Sequence, residues 1–369
     1  MGREARRAFD LDQIEIVPSR RTRSSKAVST AWQLDAYRFD IPLLTHPTDA
    51  VVSPASAVAL GKLGGLGVLN AEGLWARHGD AEGALARVVA AASGDDPDSA
   101  LSTLQELHRA PISETLIAEA LRPQRESGNP VAARVSPQRA RELTPALLAA
   151  GVEILIVQGT IISAEHVSET HAPEPLNLKD FIADLDVPVV AGGVGDYRTA
   201  LHLMRTGAAG VIVGYGQSGA TTTDEVLGVG VPMATAIVDA AAARRDYLDE
   251  TGGRYAHVIA DGGIATSGDI ARAIACGADA VMLGEQLADA DEAPAGGLYW
   301  TSSAAHPSLP RSEITGLAGS GRSLEQVLYG PTESPYGTTN LFGALRRAMA
   351  KTGYSDLKEF QRVGLTIRG

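Results

Sequence analysis

Residues 255–285 read YAHVIADGGIATSGDIARAIACGADAVMLGE. Ala256–Ala260 and Ala280–Leu283 are two short apolar runs of strand length. Between them, Thr266-Ser267 offers hydroxyls suited to capping a helix start, and Cys276-Gly277 closes the segment with the residue best suited to a helix end. The pattern predicts a strand–helix–strand unit with parallel strands. Asp261-Gly262-Gly263 follows the first strand and Gly284-Glu285 the second. Glycine lets a backbone approach a ligand closely, and free N–H groups at a helix start favour phosphate. The unit therefore reads as a phosphate cradle beside an acid that binds hydroxyls, or else as an ordinary tight strand-to-helix turn.

Outward from this unit the chain repeats the same rhythm. Short apolar runs occur at 41–45, 66–70, 131–136, 152–158, 187–192, 209–214, 256–260 and 280–284. Helical patterns fall between them: 55–63, an Ala-rich stretch over 72–127 with a break at 94–99, 137–150, 175–185, 196–206, and a loop and helix within 217–250. GGLGVLN, AGVEILIVQ, TGAAGVIVG and CGADAVMLG each set a Gly shortly before a strand, where a helix must end and turn. Eight strand–helix units predict an α/β fold of the TIM (β/α)8 barrel class, with an open doubly wound sheet as the alternative. The expected organisation is an N-terminal arm over 1–40, with a basic patch at 18–26, and a single barrel domain over 41–369. That domain carries the loop 214–232 and C-terminal helices, one of them at 340–352. Barrels of this type hold phosphate after strands 7 and 8, which is where Asp261-Gly262-Gly263 and Gly284-Glu285 fall.

Composition narrows the function classes. The 369 residues are 44% hydrophobic and 21% charged, with a net charge of −12. Such a balance argues against nucleic acid and anionic membrane surfaces as partners. A single Cys excludes an internal disulfide framework and a cysteine-based zinc site. The start, MGREARRAFD, has no apolar core, and no run of about 18 apolar residues exists, so a cytoplasmic protein is expected. His46, His166, His171, His202, His257 and His306 lack metal-ligand spacing and read mostly as surface or satisfied core residues. The acids of DYLDETGG (246–253) read as a solvated loop.

The loop after the sixth run, GYGQSGATTTDEVLGVGVP (214–232), is Gly-rich and carries Ser218 and Thr221–Thr223. A loop of this length on the rim of a barrel is suited to wrapping a substrate or offering carbonyls to a monovalent cation, the alternative being a plain connection.

VPVVAGGV, TGAAGVIVGYGQSGATTTDEVLGVGVPMATAI and VIADGGIATSGDIARAIACGADAVMLG, in that order, resemble the inosine monophosphate dehydrogenase and guanosine monophosphate reductase family. The likeness reaches back through GGLGVLN to IPLLTHPTDAVVS and covers most of 10–290. It is nearest to the shorter, barrel-only GuaB3-like branch, since 71–130 reads as helix without room for a CBS module. The resemblance implies a purine nucleotide monophosphate (IMP or GMP) as ligand, NAD as cofactor, a possible potassium ion and a homotetramer. It implies that Asp261 binds ribose and that Gly263 and Gly284, with their neighbours Gly262 and Glu285, meet the phosphate. Ser218 and Gly219 stand at the family's phosphate-binding serine, and Glu333 at a glutamate on the base edge. Gln158 stands at an aspartate on the nicotinamide side and Gly193 at an asparagine after the fifth strand. Gly214 and Gly216, with Thr221, belong to the potassium-coordinating loop.

The resemblance also implies covalent catalysis by a cysteine immediately before a Thr-Thr pair. Thr221 occupies that position, before Thr222-Thr223. An isolated hydroxyl is a poor nucleophile without an adjacent base. Cys276, the only thiol, sits at the end of the helix between the last two strands and reads as a small packed hydrophobe. The Arg-Tyr flap of the family has no counterpart in 301–330, and YWTSSA (299–304) only loosely resembles its segment after strand 8. Two functions follow from these residues: an NAD-dependent oxidoreductase of the IMP dehydrogenase type, or a non-catalytic nucleotide-binding sensor or partner protein.

Overall fold

The structure is a computed structural model that describes residues 5–94, 97–164, 176–316 and 321–368. Eight parallel strands form its central sheet: β1 (Leu43–Thr45), β2 (Val68–Asn70), β3 (Ala132–Val135), β4 (Ile154–Gln158), β5 (Val189–Val194), β6 (Gly210–Gln217), β7 (His257–Gly262) and β8 (Ala280–Leu283). Each strand pairs with its neighbours in sequence, and β8 returns to β1 with Val281 opposite Leu43 and Leu283 opposite Thr45. Closure between β1 and β2 rests on a short contact. Thr45 N–H donates to the Leu66 carbonyl at 3.0 Å, Leu66 N–H to Leu43 at 2.9 Å, and Val68 N–H to the Thr45 hydroxyl at 2.8 Å. The chain is thus a (β/α)8 barrel, and strands β1 to β5 and β8 are buried along their whole length, as helices outside and side chains inside require.

The outer layer follows from the local sequence. Helix α1 (Pro54–Lys62) starts with Ser53 and Ser56 in a reciprocal capping box and Pro54 at its first turn. The stretch 72–127 resolves into α2 (Ala81–Ala92), α3 (Pro97–Leu107) and α4 (Glu114–Glu126), with no CBS module among the described residues. Helices α5 (Ala140–Ala149), α6 (Leu178–Ala183), α7 (Tyr197–Met204), α8 (Thr223–Leu227) and α9 (Met233–Thr251) link β3 to β7. Helix α10 (Ser267–Cys276) has the Thr266 cap: the Thr266 hydroxyl accepts from Asp269 N–H, and the Asp269 carboxylate accepts from Thr266 N–H. It ends at Gly277, whose φ of +118° and close approach to Ala241 leave no room for a side chain. The short α11 (Glu285–Ala288), then α12 (Leu324–Tyr329), α13 (Leu341–Thr352) and α14 (Leu357–Phe360), complete the chain.

Residues 1–40 were expected as an arm; where described, they pack on the barrel, with Phe9 N–H donating to the Thr235 hydroxyl at 2.8 Å and Asp10 accepting from Met233 N–H at 3.0 Å at the start of α9. Ile14–Ile16 pairs antiparallel with Leu365–Ile367, and Trp32–Leu34 forms a hairpin with Tyr37–Phe39 in which the Trp32 and Phe39 rings stack at 5.3 Å. In the basic patch, Arg23 donates to the Gly353 carbonyl at 2.6 Å.

One buried carboxylate ties the base together. Asp279, just before β8, accepts from Arg244 at 2.7 Å, Tyr255 at 2.8 Å, Val258 N–H at 2.9 Å and Gln361 at 3.1 Å, and it also meets Lys358. Burial by itself raises the Asp279 pKa, but the Arg244 and Lys358 cations outweigh it and hold the carboxyl well below its usual range. Removing one partner of a buried pair strands the other charge, so Asp279→Asn is expected to cost about 3–5 kcal/mol in urea unfolding. Because the folded pKa is depressed, Asp279 contributes its full stabilisation above the unfolded value of about 3.9 and loses it as the pH falls toward the folded value. The gap between wild type and variant should therefore shrink on acidification below about pH 4.

Candidate functional site

The strand ends of β1, β4, β6, β7 and β8 meet around Asp261. The pairing of β7 with β6 shifts register between Ala260 and Gly262, an irregularity that re-aims the intervening side chain. Asp261 is 2% exposed. Its Oδ1 lies 3.2 Å from His46 Nδ1, and its Oδ2 accepts from Gln158 Nε2 at 2.7 Å. Asp261, expected on the rim, and Gln158, expected on the same face, are therefore brought into direct contact. Both carboxylate oxygens keep lone pairs for further donors.

His46 was read only generically from sequence, yet it stands at the centre of the site. Its side chain is 8% exposed, and with Nδ1 facing Asp261 its Nε2 is buried without a protein partner. In the neutral ring, Nδ1 carries the proton given to Asp261 and Nε2 presents a lone pair. Gln158 Oε1 is likewise buried and unpartnered. The signal available in sequence was position: His46 is the first residue after β1, on the rim that carries the chemistry of such barrels.

The loop after β6 lies across the turn after β8. Gly219 N–H donates to Glu285 Oε2 at 3.1 Å, which joins two residues expected at the phosphate. Ser218 Oγ and Thr221 Oγ1 are 3.4 Å apart, and the Thr221 hydroxyl donates to the Gly216 carbonyl at 2.6 Å. Thr221 also bridges to Ser312, and Glu313 N–H donates to Ala220 at 2.8 Å, so residues 311–315 cover the loop. Beneath it lies Tyr299, a second residue that sequence reasoning did not single out. A Cβ on Gly284 would stand 2.6 Å from the Tyr299 ring, so only glycine fits there. Burial raises the Tyr299 pKa well above the ordinary phenol value, and the charges of Asp261 and Glu285 raise it further.

The remaining expected residues are less central. Gly262 and Gly263 follow Asp261 in the left-handed region, with a Cβ on Gly262 reaching 2.5 Å from Gln217 N. Gly193 packs on Gly214, and Gly214 on Asp261. Glu333 is exposed on the segment 331–340, which docks through Gly337 onto the start of α10. Of the histidines, His257 lies at the base of the barrel, with its pKa lowered to about 4 by burial, and His166 and His171 fall outside the described residues. Among the described residues, no group of three or more His, Cys, Asp or Glu side chains is placed to hold a metal ion.

A second polar cluster borders the site on the β2–β3 side. Arg134 is buried, donating to the Gln158 carbonyl at 2.7 Å, with Glu72 3.6 Å away. Asp49 accepts from Leu74 N–H at 3.0 Å and is pushed up to about 7 by burial. A cavity of about 850 Å³ opens at the opposite end, lined by residues such as Trp32, Arg38, His257 and Lys358. The catalytic end of such barrels is the C-terminal one, and the orphaned His46 Nε2 and Gln158 Oε1 flank Asp261 there, so the site is placed at Asp261 rather than in that cavity.

Residues 8–306 match the IMP dehydrogenase / GMP reductase domain. The chain belongs to this family. It is 64% identical to an uncharacterized oxidoreductase of Mycolicibacterium smegmatis over all of this chain and 98% of that one. It is 43% identical to inosine-5′-monophosphate dehydrogenase of Haemophilus influenzae over 42% of this chain and 29% of that one. A crystal structure of an IMP dehydrogenase/GMP reductase-like protein from Corynebacterium glutamicum superimposes with a TM-score of 0.94 at 56% identity, over all of this chain and 96% of that one. Among the described residues no helix is long and apolar enough to cross a membrane.

Cys276 is buried at the end of α10, and burial pushes its thiol up to about 12. Thiolate is the reactive form, so at pH 8 only about one thiol in ten thousand is ionised. Iodoacetamide should therefore leave the native protein unmodified and alkylate it once in 8 M urea, as read by intact mass; rapid native alkylation would contradict the placement of Cys276.

Proposed function

We propose that the chain binds a purine ribonucleoside unit, as nucleotide or nucleoside, on the Asp261 rim, and that it does so without covalent thiol chemistry. The observation that carries this reading is Asp261 itself. It is a buried acceptor at the strand ends, fixed by His46 and Gln158, and suited to ribose hydroxyls. Thr221 supports the second half. Its hydroxyl is spent on the Gly216 carbonyl, and the nearest polar side chain is another hydroxyl, Ser218, which is no base.

The groups that the family implies fare differently at this rim. Gly216 and Thr221, two of the oxygens expected around potassium, are bonded to each other, which takes up the Thr221 proton and one carbonyl lone pair. The nicotinamide side fits better, because the orphaned Gln158 Oε1 is an acceptor that a carboxamide N–H would satisfy.

His46 favours a second reading, an oxidoreductase in which the Nε2 lone pair, backed by Asp261, takes a proton from water. NAD would supply hydride acceptance when bound, and Gln158 would help hold it.

Calorimetry and turnover separate these readings. Asp261→Ala should weaken purine ligand binding at least about tenfold. With IMP and NAD, the native protein should form no NADH, whereas Thr221→Cys should gain the mass of a purine adduct. NADH formation by the native protein that is lost in His46→Ala would replace the first reading with the second.

A further inference from the structure

We infer that the cavity at the base of the barrel is a second binding site, one that takes a small organic anion with a flat apolar body. The inference stands apart from the purine reading, which concerns the opposite end of the strands.

The cavity holds about 850 Å³, inside the range of about 300–1,000 Å³ that small-molecule sites span. Parts of the chain far apart in sequence bound it. The hairpin of Trp32–Leu34 with Tyr37–Phe39 stands on one side and the start of α14 on another, while the N-terminal ends of β5 to β8 form the floor. Its wall is aromatic. The His257 ring meets Trp32 and Tyr255 edge to face, with ring centres 5.9 Å and 5.0 Å apart. Trp32 is 7% exposed, and its Nε1 is buried without a hydrogen-bond partner, as is His257 Nδ1. Buried polar atoms are costly to leave unpaired, and both belong to side chains that line this cavity. An occupant whose ring system carries polar atoms would complete them.

The charges on the wall decide the sign of the ligand. Lys358 is committed to Asp279 and Tyr255, and Asp279 is satisfied by Arg244 and its other donors. Asp356 caps α14 by accepting from Glu359 N–H at 2.9 Å. That leaves Arg38, Arg254 and Asp35, whose side chains have no hydrogen bond or ion pair among the described residues. Two guanidiniums against one carboxylate make the mouth net positive, in a chain whose net charge is −12. Both arginines are exposed, whereas the three rings are buried or half-buried, so the charge stands at the mouth and the apolar wall lies inside. The guanidinium fork matches a carboxylate, sulfonate or phosphate, and the rings match a flat apolar body behind it.

The probe is 8-anilinonaphthalene-1-sulfonate, set against N-phenyl-1-naphthylamine, which has the same rings and no charge. In calorimetry of the full chain, the sulfonate should bind at least about tenfold more tightly than the uncharged analogue. A double variant, Arg38→Gln with Arg254→Gln, alters only exposed and unpaired side chains and should fold as the native chain does. It should weaken the sulfonate at least about tenfold and hold the analogue within about threefold. Emission transferred from tryptophan to the bound sulfonate should fall in Trp32→Phe, which removes the indole on the wall and keeps an aromatic ring there. Sulfonate binding that is unchanged in the double variant, or transfer that is unchanged in Trp32→Phe, puts the dye elsewhere and overturns the inference. An analogue that binds as tightly as the sulfonate overturns the anionic part, and with it the site as described. A native protein that does not bind the sulfonate at about millimolar concentration overturns it too. None of these outcomes touches the purine reading.

Discussion

Closure of the strand ring is the constraint on which everything at the rim depends. Strand β1 has only three residues, and it holds β8 on one side and the run leading into β2 on the other. Because β1 is locked against β8, His46 N–H donates to the Leu283 carbonyl at 2.7 Å, and the His46 ring is delivered to Asp261 on the next strand along. In an open sheet residues 46 and 261 would lie on strands with no reason to meet. The His46–Asp261–Gln158 cluster is therefore a product of topology first and of side-chain chemistry second.

Much of this was legible before any coordinates. The apolar runs were of strand length, the glycines before them marked the helix-to-strand turns, and the Thr266 to Gly277 segment carried its own start and stop signals. Boundaries moved where pairing outlasted hydrophobicity. Strand β6 was read to residue 214 but continues to Gln217, because Gln217 pairs with Gly262. The run at 41–45 shortens to Leu43–Thr45 because Asp40 and Ile41 turn to bond the Gly64 carbonyl. Asp261, Gln158, Gly219 and Glu285 were all picked out as rim residues, but their pairings were not legible. Each contact joins residues from 66 to 215 positions apart, and such distances carry no periodicity. His46 and Tyr299 escaped for the same reason, since nothing in their neighbourhood of sequence marks the partners that bury them.

The rim combines closely packed backbone with side chains that bond one another. The glycines that bring backbone close to a ligand remain, with Gly284 still pressed against Tyr299 and Gly262 against Gln217. Around them three side chains are held by hydrogen bonds within the rim. A hydroxyl bonds its own loop carbonyl at 221, an amide braces the acid at 158, and a carboxylate closes on a backbone N–H at 285. Each such group satisfies a neighbour, while His46 Nε2 and Gln158 Oε1 beside them stay without a protein partner.

The lone buried thiol of Cys276 has a practical corollary. A protein of this size usually carries several thiols that compete for any maleimide dye, but here the background is silent while the fold is intact. A cysteine placed at an exposed rim position such as Gly219 or Val226 would carry a fluorophore to one known address. The loop over the site can then be followed in solution, one molecule at a time, without first stripping the chain of its native sulfur.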